Sequence, residues 1–224
     1  MNVNDDFSKR AAVHGAAIEW IPSPMPGVER KPLDRIGDEV ARATTIVRYA
    51  PGSAFSAHTH TGGEEFLVLE GVFQDQYGDF PAGTYVRNPP TTSHEPASEG
   101  GCVILVKLWQ FDPDDRNQFH VAEENRRYQA VADGVEAAVV HRDPREEVRF
   151  ERWGPGATVR TGPQGGMEVF VLKGDFAEDG EIFGTWSWLR LPKGAALNAV
   201  AGPEGAEVWI KTGHLAETPA GPGA

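Results

Sequence analysis

One stretch of this chain occurs twice, and the repeat restricts the fold more than any other feature. GGEEFLVLEGVF at 62–73 returns as GGMEVFVLKGDF at 165–176. The correspondence extends outward in the same order. GVE stands at 27–29 and 134–136, and RYAPG at 48–52 returns as RWGPG at 152–156. CVILVKLWQ at 102–110 loosely matches AEVWIKTGH at 206–214. GTYVRNP at 83–89 aligns with GTWSWLRLP at 184–192 when two residues are inserted. The offset stays at about 103–108 residues, so two copies of one unit account for most of the 224-residue chain. The copies are expected at 1–112 and 134–216. Between them, 113–133 reads as a polar linker with a helical turn in AEENRRYQAVA, and 217–224 reads as a frayed tail.

Each copy reads as β-structure. TTIVRY, FLVL, GVFQ, TYVR and CVILVKLWQ are β-branched and aromatic-rich, and PGS, TGG, YGDFPAG, NPP and SEGG punctuate them as turns. No sustained helical period competes. Many short strands at this spacing make a sandwich or a barrel, so the fold class is all-β with two tandem barrels. FLVL is apolar on both faces, which predicts a strand covered on each side by a second sheet or a second subunit. Together with the acidic surface, this leads to the expectation of a homodimer.

Composition excludes several classes of function. Lys and Arg total 21 against 33 Asp and Glu, a net charge of −12, which disfavours nucleic acid as a partner. The single cysteine, Cys102, excludes an intrachain disulfide and any CxxC site. The longest apolar run, 102–106, is far short of the ~20 residues that span a bilayer, so no membrane partner is expected. The N-terminal MNVNDDFSKR lacks a secretory pattern, and a cytoplasmic location is the expectation.

Four residues carry the chemistry: His58, His60, Glu64 and His94. Side chains two apart in a strand share a face, so His58 and His60 point together, and Glu64 keeps that parity. His94 follows the NPPTT turn, where a chain returning antiparallel lies beside the first strand. Imidazole nitrogens and a carboxylate oxygen bind zinc, iron, nickel, copper or manganese at roughly 2.0–2.2 Å. One glutamate reduces the local charge of a divalent ion to about +1. Glu65 has the opposite parity and is the weaker candidate. The second copy lacks the set. The Arg160–Gln164 stretch stands where His58 and His60 fall, Met167 or Glu168 where Glu64 falls, and Leu197 or Asn198 where His94 falls. That copy is expected to be metal-free.

At these residues the sequence resembles the cupin superfamily. The motif G-x5-H-x-H-x3/4-E-x6-G reads here as Gly52, His58, His60, Glu64 and Gly71. A second motif, G-x5-P-x-G-x2-H-x3-N, reads as Gly83, Pro89 and His94, with Thr91 in place of its glycine and Ser98 in place of its asparagine. Within that superfamily, 58–96 with the flanking PGVERKPLDR and GCVILVKLWQF looks like the cupin domain of ChrR-type anti-sigma factors. The resemblance implies a bicupin of jelly-roll barrels, the first holding one divalent metal through His58, His60, Glu64 and His94. Zinc is the first choice, with iron, nickel or manganese as alternatives. It also implies a sigma factor as a partner. In that family, however, a helical domain with an HxxxCxxC motif grips the sigma factor, and this motif does not occur in the sequence given.

The function expected from this is a metal-dependent sensor, regulatory or small-molecule-binding protein of a stress response. The alternative is an iron-dependent cupin dioxygenase that cleaves a diketone or a related small carbonyl compound. A third reading makes the metal a purely structural tie. Among other residues, Phe55, Tyr85 and Trp109 are expected to line the metal pocket, and Arg87 reads as a surface strand arginine or an anion-orienting group. Cys102, Trp186, Trp188 and Trp209 read as core. His14, His120, His141 and His214 read as structural or solvent-facing, with no partners at ligand spacing.

Overall fold

The strand Glu64–Asp75 organises the first copy, because it is paired on both edges and buried on both faces over its first half. One edge pairs with Tyr85–Asn88, and the other with Cys102–Leu108. The latter pairs in turn with Ala41–Tyr49, and that with Val28–Gly37. The computed structural model describes residues 1–38, 40–162 and 164–217, and the predicted tail beyond 217 lies outside them. Among the described residues the protein is all-β. The helical segments among the described residues are two 3-10 turns, Gly15–Ala17 and Glu123–Asn125. No helix is long and apolar enough to cross a membrane.

The chain divides into two compact units. Met1–Asp5 and Glu19–Asn125 form the first, while Asp6–Ile18 joins the described residues between 126 and 217 in the second. The sequence placed 6–18 in the first copy. The difference arises because Ala11–Val13 adds an antiparallel strand to Trp188–Leu191, with Ala11 opposite Arg190. The predicted linker is also not plain connection. Phe119–Val121 pairs with Tyr85–Asn88 in the first unit, and Gln129–Ala132 pairs with Val135–Arg142 in the second. The expected helical turn is present as Glu123–Asn125.

The units repeat each other in register. Glu64 lies opposite Asn88 and Leu108, and Met167 lies opposite Leu191 and Thr212. Tyr85 and Trp188 hold equivalent positions, opposite Leu67 and Phe170. This aligns Gly83 with Trp186, both at positive φ, and needs no two-residue insertion. Strand parity separates two environments. On the inner face of the first unit, Phe66, Val68, Phe73, Phe80, Val86, Ile104 and Val106 form one buried cluster. The opposite face carries Leu67, only 2% exposed within a single chain. The doubly apolar FLVL run is therefore covered without a second subunit, and that argument for a homodimer falls away.

The turn from Asn88 to Ser93 returns the chain toward the His58–Thr59 strand. Its backbone clasps His60 from both sides: Thr91 N–H donates to His60 O at 2.9 Å, and His60 N–H donates to Thr92 O at 2.9 Å. Thr91 holds a φ of +79°. A left-handed backbone costs a non-glycine residue about 1–3 kcal/mol, and β-branching makes the clash worse. Glycine at 91 removes that strain but restores freedom to the unfolded chain. Thr91→Gly is therefore expected to raise stability by about 1 kcal/mol in urea unfolding. An equal or lower midpoint with unchanged slope would show that threonine adopts this conformation at no cost.

Candidate metal centre

The four residues singled out in the sequence converge at one point. Ser93–His94 pairs antiparallel with His58–Thr59, and His94 stands directly opposite His58. Glu64 begins the long strand on the inner face. One donor atom from each of His58, His60, Glu64 and His94 lies within 4.8 Å of all the others. The ring centroids of His58, His60 and His94 are 4.5–5.2 Å apart. His60, Glu64 and His94 are buried, whereas His58 is exposed, so the cluster meets solvent along the His58 edge.

Proton positions follow from what each Nδ1 touches. His60 Nδ1 is 3.0 Å from Thr92 Oγ1, and the Thr92 hydroxyl donates its own proton to Pro89 O at 2.7 Å. Thr92 Oγ1 is thus an acceptor toward His60, and Nδ1 carries the proton. His94 Nδ1 faces Asp75 Oδ2 at 3.3 Å, and His58 Nδ1 faces Ser56 O at 3.3 Å. Both partners only accept, so both Nδ1 atoms donate. Each Nε2 is left with a lone pair, and those of His60 and His94 meet at the shared point. Burial holds the His60 imidazole below its usual pKa, His94 and His58 add to this, and Glu64 opposes it. The ring accordingly stays neutral at neutral pH.

The lone pairs crowd one another. His60 Nε2 and His94 Nε2 are 3.2 Å apart, and Glu64 Oε2 is 3.3 Å from the first and 3.5 Å from the second. Glu64 Oε2 is buried without a hydrogen-bond partner. A buried carboxylate oxygen lacking a donor costs several kcal/mol unless a cation meets it. Donors bound to one ion at about 2.1 Å and at right angles or tetrahedral angles lie about 3.0–3.4 Å apart. The spacing and the orphaned oxygen therefore fit a divalent transition metal.

The loop between His60 and Glu64 is shaped by two aromatic rings. A Cβ at Gly62 would meet the Trp109 indole at 2.2 Å, and one at Gly63, where φ is +76°, would meet the Phe111 ring at 2.4 Å. Trp109 thus supports the ligand loop from the back. Phe55 packs against Tyr49 and the inner cluster. Tyr85 does not line the site. Its hydroxyl donates to Glu65 Oε2 at 2.6 Å on the opposite face of the sheet. Glu65 and Arg87 share that face, 3.5 Å apart, and Arg87 also meets Asp115 at 2.8 Å. Arg87 is 0% exposed, so it is neither a surface residue nor an anion-orienting group in the metal pocket.

In the second unit the same register places Thr161 opposite Leu197, as His58 stands opposite His94. Met167 holds the Glu64 position, and Val159, Met167 and Leu197 belong to an apolar core cluster. This place in the second unit is packed with hydrocarbon. Cys102 is buried, and burial raises its thiol pKa, in keeping with a core role. Trp188 and Trp209 are buried, and His214 pairs with Glu168 at 2.7 Å. One cluster escaped the sequence reading. His141, Asp143 and Glu146 also bring donors within 4.8 Å of one another, across a hairpin turn spelled H-x-D-x2-E. Lys211 Nζ lies 3.0 Å from Glu146 Oε1 and already supplies a cation there.

Fold and donor set together define an all-β barrel protein with a three-histidine, one-glutamate centre of the kind that holds transition metals. Residues 8–112 match the ChrR Cupin-like domain family. Among solved structures, protein Ylba from Escherichia coli shares the fold at a TM-score of 0.70 and 12% identity, covering 93% of this chain and 93% of that one. The bacterial pirin YhhW from Escherichia coli, in complex with nickel(II), matches at 0.65 and 14% identity over 91% of this chain and 98% of its own. Oxalate decarboxylase from Lactobacillus farciminis, a formate complex, matches at 0.65 and 10% identity over 91% and 86%. At such identities the likeness is one of fold. No curated protein matches the chain.

His60→Ala is expected to lower affinity for a divalent metal by more than the roughly 10–100-fold typical of a change outside the ligand set. Asn198→Ala in the second unit should leave it unchanged, as read by competition with a chromophoric chelator. Glu65→Gln should keep metal binding and lower unfolding stability by about 1–3 kcal/mol, because it weakens a buried ionic network. Equal metal loss in His60→Ala and Asn198→Ala would place the centre elsewhere.

Proposed function

We propose that the first unit is a divalent-metal centre at which a small molecule is bound or sensed, in a bicupin of ChrR cupin-like type. The observation that carries this reading is the meeting of donor atoms from three histidines with a buried Glu64 oxygen that has no donor. When bound, a divalent ion supplies Lewis acidity and coordination positions beyond the protein's four. The chain's own residues do the rest. Thr92, Asp75 and Ser56 hold the protons on the outward nitrogens, and the buried aromatic cluster excludes water from behind. The exposed His58 edge leaves a small polar molecule a way to approach. This exposure favours a functional site over a closed structural tie, which keeps no open position. A sigma factor as partner rests on the family resemblance alone.

The same exposed edge supports a second reading, an iron-dependent dioxygenase acting on a diketone or a related small carbonyl compound. The two readings separate in one experiment. Protein purified without added metal is expected to contain about one equivalent of a divalent transition metal per chain by elemental analysis, zinc before iron, nickel or manganese. Iron-loaded protein mixed with small diketones should then show no oxygen uptake if the site senses, and sustained uptake if it is an enzyme. Failure to take up zinc, iron, nickel or manganese would remove both readings.

A further inference from the structure

We propose that Asp75 and Gln76, at the hairpin turn after the long strand, form the device that positions His94 and supplies the centre with a second counter-charge. This rests on the metal reading above and assigns its outer residues. The carboxylate of Asp75 is 4% exposed, and its two oxygens do different work. Oδ1 accepts the Tyr77 N–H at 2.8 Å, which pins the turn, and Oδ2 faces His94 Nδ1 at 3.3 Å. Gln76 brackets the same histidine through the backbone. Its Nε2 donates to Ser93 O at 3.2 Å, and its Oε1 accepts Glu95 N–H at 2.9 Å. The side-chain amide thus supplies the paired hydrogen bonds that a neighbouring strand would make, on the two residues flanking His94. Gln74 continues the clamp by accepting Glu99 N–H at 2.9 Å.

Two consequences follow from the chemistry. A carboxylate on Nδ1–H locks the ring in the tautomer whose Nε2 is a lone pair, and it strengthens that nitrogen as a donor. Charge balance follows as well. Neutral imidazoles with Glu64 leave a divalent ion at about +1, and Asp75 brings the buried group to about zero. The second unit serves as an internal control. Register places Ala177, Glu178 and Asp179 where Gln74, Asp75 and Gln76 stand. Glu178 there is engaged by Arg10 at 2.7 Å. The copy whose inner face is hydrocarbon thus lacks both the ligands and their support.

The test uses the full chain with zinc as probe. In the metal-free wild type, long-range 15N–1H NMR is expected to show His94 protonated at Nδ1. Asp75→Asn keeps the shape, removes the charge and can present a donor, so it should mix or reverse that tautomer. It should also weaken zinc by about 10–100-fold with the apo melting temperature little changed. Gln76→Ala should weaken zinc through mobility of the 93–95 backbone while His94 keeps its tautomer. Glu178→Gln should leave zinc affinity unaltered. His94 protonated at Nε2 in the wild type, or wild-type zinc affinity in Asp75→Asn while His60→Ala abolishes binding, would overturn this assignment alone. Unaltered zinc binding in His60→Ala would instead remove the metal reading beneath it. If Asp75→Asn does not fold, the wild-type tautomer and Gln76→Ala decide the matter.

Discussion

The centre depends on one antiparallel rung, in which His94 stands opposite His58. That pairing brings a residue 36 positions further along the chain back beside the first ligand strand. The clasp of Thr91 and Thr92 on the His60 backbone then fixes the second imidazole, and the first residue of the Glu64–Asp75 strand adds the carboxylate. The arrangement concentrates acceptors in a buried place, which is costly unless a cation shares it. This is why the surroundings hold protons outward: every Nδ1 has an acceptor, which leaves every Nε2 with its lone pair.

Duplication shows which parts of the scaffold are separable from the chemistry. Both units keep a charged row on the face opposite the centre. Glu65 lies in register with Arg87 and Lys107, and Glu168 with Arg190 and Lys211. All six are buried. A hydrogen-bond donor from the neighbouring strand reaches the glutamate in each copy, the Tyr85 hydroxyl in one and the Trp188 indole in the other. Buried ion pairs are expensive to break and only weakly stabilising when intact. Their presence in both copies goes with the shared β-scaffold, whereas the inner face has diverged to ligands in one copy and to Met167 and Leu197 in the other.

Much of this is legible in the residues alone. Strand parity separated Glu64 from Glu65, and the structure puts them on opposite faces of one sheet. The repeat predicted two β-units and a second copy without ligands. Other features were hidden for definite reasons. Arg87 looked like a surface residue because nothing local announces that both faces of its strand are covered. His141 reads as isolated in the sequence because its partners, Asp143 and Glu146, gather only when the hairpin turn brings them together. In the sequence, 6–18 reads as part of the copy it precedes, since adding a strand at a sheet edge leaves no local mark. Thr91 was visible as a departure from the glycine of a motif, but its positive φ was not.

Residue order and spacing are enough to specify the duplication, the all-β class and the identity of the four donor residues. Those properties are written in composition, spacing and a period of two, which survive without knowledge of the partners. The folded chain sets which nitrogen of each histidine is free, that Glu64 Oε2 meets no donor, and that Asp75 and Gln76 hold His94. Those depend on the registers of strands and turns that are distant in the chain. A hydrogen bond is sensitive to tenths of an ångström in such registers, and residue spacing does not carry that precision.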